Sequence, residues 1–204
     1  MLPIAMTHLA NGNTDTGEVM GIASLHPSYG LASIFQRLTG SNSGSAMTEA
    51  DKLISISYSQ LAVFDHSLER PFNIWTDRHV AQGFAWRPGS VAFRTIEESG
   101  RHLVSIRVDS QRVVSKSNAN RIIDVPFEVP RNGPVEIGSI SDSVSIEMPP
   151  GIYQLRYECY EGVVDENPRI RLLFAKRNNP RFELVRADKE INLGADLLLT
   201  ASPA

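Results

Sequence analysis

From residue 53 the chain alternates. Ile54, Ile56 and Tyr58 take every second position and Ser55, Ser57 and Ser59 the positions between. A period of two puts the apolar side chains on one face of a half-buried strand. The run continues through Leu61, Ala62, Val63 and Phe64, which predicts one long strand over residues 53–64. Further alternations set Val104, Ile106 and Val108 against Ser105 and Arg107, and Val125, Phe127 and Val129 against Pro126 and Glu128. Because proline cannot donate to a ladder, Pro126 and Pro130 predict an edge strand there. Val144, Ile146 and Met148 alternate with Ser143, Ser145 and Glu147; then come Tyr153, Leu155, Tyr157 and Cys159, and after them Ile170, Leu172 and Phe174. Residues 90–93, 182–185 and 197–200 read as further short strands. Pro149-Pro150-Gly151 reads as a hairpin turn into residues 153–159, Asn132-Gly133-Pro134 as a turn, and residues 83–89 as a turn between strands. Only residues 76–83 suggest a helical turn, capped by Thr76 or Asp77.

About eight short strands with so little helix predict an all-β fold, an antiparallel β-sandwich over about residues 53–200. Parallel α/β architectures need crossover helices, which are missing. The expected inward set is Ile54, Ile56, Val104, Ile106, Val108, Val144, Ile146, Tyr153, Leu155, Tyr157, Ile170 and Leu172. Residues 1–46 differ, with one basic residue, Arg37, two acidic ones, Asp15 and Glu18, and many Gly, Ser, Thr and Asn. They read as a partly flexible extension with a short helix near 28–39, where Leu31, Ile34, Phe35 and Leu38 share a face between Ser28 and Gly40 as caps. The sandwich domain is then 47–204. Met47 would itself make an ordinary start, so the extension reads either as native or as translated upstream sequence.

Composition removes several function classes. A hydrophobic share of 42% suffices for a core without covalent staples. The single cysteine, Cys159, excludes an internal disulfide and sits in a strand pattern as a small core residue. A net charge of −3 lacks the basic surplus of a nucleic-acid binder. No apolar run approaches the roughly 20 residues that span a bilayer. The first residues show neither a basic n-region nor an apolar h-region, so the expected location is cytoplasmic. None of the five histidines pairs with another ligand at metal spacing. No Gly-x-Ser-x-Gly, Walker or Rossmann spacing occurs. The chain is therefore expected to be no enzyme, with no cofactor and no metal.

One stretch carries unusual chemistry. Glu158, Glu161, Asp165 and Glu166 crowd around Tyr160 in what reads as a loop between two strands. A solvated loop is the ordinary explanation. Acidic and aromatic groups together also suit a surface that opposes a basic partner. Residues 65–70 form a second, weaker acidic loop. Trp75 and Trp86 read as strand-end packing, or as interface anchors.

The strand at 53–64, then Trp75-Thr76-Asp77, Gly83-Phe84-Ala85 and the strand at 90–93 resemble, in order, the competence protein J (ComJ) family. The similarity continues at Val125-Pro126-Phe127 and from Met148 through Leu155, covering most of residues 50–160. The resemblance implies a nuclease inhibitor, since founding members bind and restrain a secreted, NucA-type deoxyribonuclease. The expected partner is thus a deoxyribonuclease protein, in a competence or toxin-immunity setting, without direct nucleic-acid or membrane binding. It supplies no inhibitory positions; Glu158, Tyr160, Glu161, Asp165 and Glu166 are expected at the interface on their chemistry alone. Two other readings stay open at this level: a small-ligand or carbohydrate-binding sandwich, and an enzyme on this scaffold.

Overall fold

The computed structural model describes residues 48–109, 117–164, 166–194 and 196–204. The extension over 1–46, its helix near 28–39, and Asp165 lie outside the described residues. In chain order the elements are β1 (Thr48–Ile56), β2 (Gln60–Asp65), α1 (Asp77–Gln82), β3 (Phe84–Arg87), β4 (Ser90–Arg94) and β5 (Gly100–Asp109). Then follow β6 (Arg121–Val129), β7 (Val135–Gly138), β8 (Ser143–Ile146), β9 (Gly151–Cys159), β10 (Arg169–Lys176) and β11 (Glu183–Arg186). They build a six-stranded sheet, β1-β5-β10-β9-β6-β11, and a five-stranded sheet, β3-β4-β2-β7-β8. No helix among the described residues is long and apolar enough to cross a membrane.

The two sheets share one core, as a sandwich requires. Ile54, Ile106, Leu155 and Leu172 from the larger sheet pack in one cluster with Leu61, Val91, Phe93 and Ile137 from the smaller. Phe93 of β4 stacks on Tyr157 of β9 with ring centroids 4.5 Å apart. The expected inward residues are buried, except that Val144 is only half-buried at the outer strand β8. β2 is apolar from Leu61 to Phe64 because both its faces are covered there: Leu61 and Val63 enter the main core, while Ala62 and Phe64 lie under Leu68, Phe72 and Trp75.

Several elements differ from the pattern reading. Residues 53–64 are not one strand. Tyr58 and Ser59 have φ of 57° and 53°, a left-handed turn that carries the chain from the six-stranded sheet into the five-stranded one. Without glycine, each such residue costs roughly 1–2 kcal/mol. The turn reverses the phase of the alternation, so Tyr58 is 78% exposed instead of inward. Likewise β8 and β9 belong to different sheets, so Pro149-Pro150-Gly151 is a crossing between sheets and not a hairpin. Residues 84–87, read as turn, are β3, and β7 had no alternation to reveal it because all four of its residues are buried. Residues 197–200 form no strand; the Gln82 side chain holds Leu198 instead, accepting from its N–H at 2.8 Å and donating to its carbonyl at 3.0 Å. β6 is not an edge strand: β9 flanks it on one side and β11 on the other, but β11 pairs only Ile122–Asp124. Next to that short partner, Pro126 offers its carbonyl to the Trp86 indole N–H at 2.7 Å. All pairings are antiparallel except β5 with β10, which run parallel.

Candidate partner-binding end of the sandwich

β9 and β10 are joined by residues 160–168, the acidic segment, and four other segments meet it at the same end of the sandwich. Glu97, just before β5, accepts the Gly162 N–H on Oε1 at 2.8 Å. Its Oε2 lies 3.5 Å from Nε2 of His102, which is fully buried and whose Nδ1 donates to the Gly100 carbonyl at 3.1 Å. Asn120 accepts the Glu161 N–H at 2.9 Å and so fixes the start of the loop. The Tyr58 turn joins from the other side: Ser59 N–H donates to the Glu98 carbonyl at 2.8 Å, and Thr95 N–H to the Ser59 carbonyl at 2.9 Å.

Residues 188–190 complete this end through Arg121. Its side chain is fully buried, and Nε donates to Asp188 Oδ2 at 2.9 Å while Nη2 donates to Glu190 Oε2 at 3.1 Å. Arg94 faces the same Glu190 carboxylate at 3.4 Å. Two cations thus balance Asp188 and Glu190, which hold the fold together and leave little charge for a partner. A cavity of about 400 Å³, lined by Ile96, Asn120, Glu161, Asp188, Lys189 and Glu190, opens between these loops.

The expected interface residues separate here. Glu161 and Glu166 are exposed on the loop. Glu158 is not on the loop at all: it belongs to β9 and is fully buried. Its Oε2 accepts from Arg171 Nε at 2.8 Å, Tyr160 hydroxyl at 2.9 Å and Ser117 hydroxyl at 3.0 Å. A carboxylate so enclosed organises its neighbours and cannot reach a partner. Tyr160 is half-buried, its hydroxyl turned inward to Glu158 and its ring covered by the Arg169 guanidinium, 5.1 Å from the ring centre. Asp165 lies outside the described residues.

Glu97, Glu98, Asp188 and Glu190 escaped the sequence reading. Their only local sign was charge between strands, as in Glu97-Glu98 and Asp188-Lys189-Glu190; sheet topology alone brings them beside residues 160–168. Burial pushes the Cys159 thiol and the Tyr157 phenol up, and burial also raises Tyr160. Among the described residues no group of three or more His, Cys, Asp or Glu side chains could hold a metal ion.

The family model for competence protein J matches residues 53–176. The chain belongs to the competence protein J (ComJ) family. A DNA-entry nuclease inhibitor of Bacillus subtilis (strain 168) is 33% identical over 103 residues, spanning 50% of this chain and 75% of that relative. The crystal structure of ComJ from Bacillus subtilis, described as an inhibitor of the DNA-degrading activity of NucA, aligns with a TM-score of 0.56 at 24% identity. That alignment covers 65% of this chain and 99% of the other, and shows that the fold is shared.

Proposed function

We propose that this ComJ-family chain is a non-catalytic inhibitor of a NucA-type deoxyribonuclease, acting by covering the enzyme's DNA groove. The observation that carries the proposal is family membership over residues 53–176, together with a 33%-identical relative whose name is DNA-entry nuclease inhibitor. A groove that holds phosphates is basic, and a protein that competes for it opposes it with carboxylates. Among the described residues, Glu161 and Glu166, with Glu98 beside them, are exposed carboxylates at one end of the sandwich and supply that opposing charge. Inhibition by occlusion needs no bond chemistry, in keeping with a raised, buried thiol at Cys159. The working location is cytoplasmic, in a competence or immunity setting, and the 47–204 span carries the activity.

The test is degradation of plasmid DNA by the NucA-type nuclease of the same source, with the purified chain titrated in. Stoichiometric loss of cleavage is expected, both for the full chain and for a version beginning at Met47. Unchanged cleavage at a large molar excess of folded protein would end the proposal.

A further inference from the structure

We infer that a single proton held between His102 and Glu97 sets the acidic loop in its inhibitory geometry, which makes both of them positioning residues for the partner-binding end. This rests on the inhibitor reading above. The Gly100 carbonyl can only accept, so His102 Nδ1, 3.1 Å away, carries a hydrogen. A neutral ring then has a bare Nε2, and that atom faces Glu97 Oε2 at 3.5 Å. Both atoms are buried, and among the described residues neither has a hydrogen-bond partner elsewhere. Two buried acceptors in contact repel, and each forgoes the water that would have solvated it. One proton removes the conflict, whether it makes the ring an imidazolium or the carboxylate an acid. The two groups share it as a coupled pair.

The other carboxylate oxygen ties the pair to the loop. Glu97 Oε1 accepts the Gly162 N–H at 2.8 Å, and a Cβ at position 162 would stand 2.8 Å from that same oxygen, so the chain passes directly against the carboxylate. Gly162 follows Glu161 and leads into the turn closed by the Glu166 N–H on the Val163 carbonyl at 3.0 Å. Glu97 therefore grips the loop between its exposed carboxylates, Glu161 and Glu166. His102 itself is fixed: it is fully buried on β5 opposite Ile54 of β1, and the Leu103 N–H beside it donates to the Pro168 carbonyl at 2.9 Å. Neighbouring charges do not replace the proton. Arg121 of β6 is taken up by Asp188 and Glu190, and Tyr157 and Cys159 of β9 are driven up by burial and stay uncharged. Glu98, Arg101 and Glu161 are exposed at this end, where water screens them. The Glu97 side chain is 25% exposed, which gives its carboxylate a way out to water once the proton has gone. The loop is thus held at low pH and released as pH rises through the histidine range, about pH 5 to 8.

The decisive variant is Glu97→Gln. Its amide oxygen still accepts from Gly162 while its amide N–H donates to the bare His102 nitrogen, so the loop is held without a titrating proton. The Gly162 amide proton and the His102 ring nitrogens would be followed by NMR in the free chain between about pH 5.5 and 8.5. Affinity for the NucA-type nuclease would be measured at both ends of that range. In the wild type the Gly162 resonance should move in step with His102, and in Glu97→Gln it should stay in place. Wild-type affinity, taken relative to Glu97→Gln, should fall by about fivefold or more as pH rises. The ratio removes what the nuclease contributes through its own titration. A wild-type Gly162 resonance that ignores pH overturns the inference, whether or not the variant folds. So does an affinity ratio constant within about twofold. Should the unmodified chain inhibit at no pH, the functional reading fails and the link to binding goes with it; if it inhibits and Gly162 does not respond, only this inference falls.

Discussion

Glu158 sits on β9 with no exposed surface, its Oε2 shared by Arg171, Tyr160 and Ser117, while Glu161 a little further on stands in solvent. Removing one partner of a buried pair typically costs roughly 3–5 kcal/mol, and less where the other partner reaches water. Arg171 is 26% exposed at its side chain, so Glu158→Ala is expected to cost about 2–4 kcal/mol in chemical denaturation. Glu161→Ala should leave stability within about 0.5 kcal/mol and alter only binding. Equal denaturation midpoints for the two variants would refute this division. Part of it was visible beforehand: Tyr153, Leu155, Tyr157 and Cys159 alternate inward, which puts Glu158 on the opposite face of a strand. Its enclosure was not visible, since Arg171 and Ser117 arrive from distant positions. The inward set was legible except at Val144, half-buried on β8, and at Tyr58, which the turn exposes; Leu155→Ala and Ile106→Ala should each lose about 2–5 kcal/mol as cavity-forming changes. A loss below about 1 kcal/mol would contradict their burial at 0% and 2%.

At the scale of elements, α1 shows what local signals give and withhold. Thr76 caps its start, and Gly83 ends it at φ 81°, where an added Cβ would stand 2.6 Å from Ile191 Cδ1. Both ends were readable from residue type. The role of His79 was not, because it depends on a chain segment far away in sequence. Nδ1 accepts from the Thr76 N–H at 3.1 Å, and Nε2–H donates to the Thr200 carbonyl at 3.2 Å. The neutral ring therefore clasps the helix start to the C-terminal segment. Burial lowers its pKa; the Thr200 bond pulls the other way and Arg78 lowers it further. With the folded pKa below the unfolded one, the unfolded chain binds the extra proton first as pH drops. The contribution is complete above about pH 6.5, the ordinary histidine value, and is lost as pH falls toward the folded pKa. Melting temperature should thus fall more steeply below pH 6.5 for the wild type than for His79→Gln. Parallel curves would show that His79 carries no such linkage. The Tyr58 turn is the counterpart at β1: its serines continued the alternation, so no residue type announced the crossing between sheets.

Across the whole molecule, charge is divided by function. Asp188 and Glu190 neutralise Arg121 and Arg94, so lysine at either position would bury repulsion against Arg121 and test folding instead of recognition. Glu98, Glu161 and Glu166 are exposed, and reversing them leaves every core contact in place. Complementary surface charge acts mainly on encounter, accelerating association by about 10- to 1000-fold at low salt, while close contacts set dissociation. The triple change Glu98→Lys, Glu161→Lys and Glu166→Lys should therefore slow association with a NucA-type nuclease by about tenfold or more at low salt. Dissociation should change far less. Added salt should slow the wild type, because the Debye length contracts to about 8 Å near physiological strength, and should narrow the gap between the two proteins. Stopped-flow association at two ionic strengths reads both effects. An unchanged low-salt association rate in the folded triple variant would move the recognition surface away from this end, even if inhibition itself persists. A slowed rate without convergence at high salt would mean that shape, and not charge, had been altered.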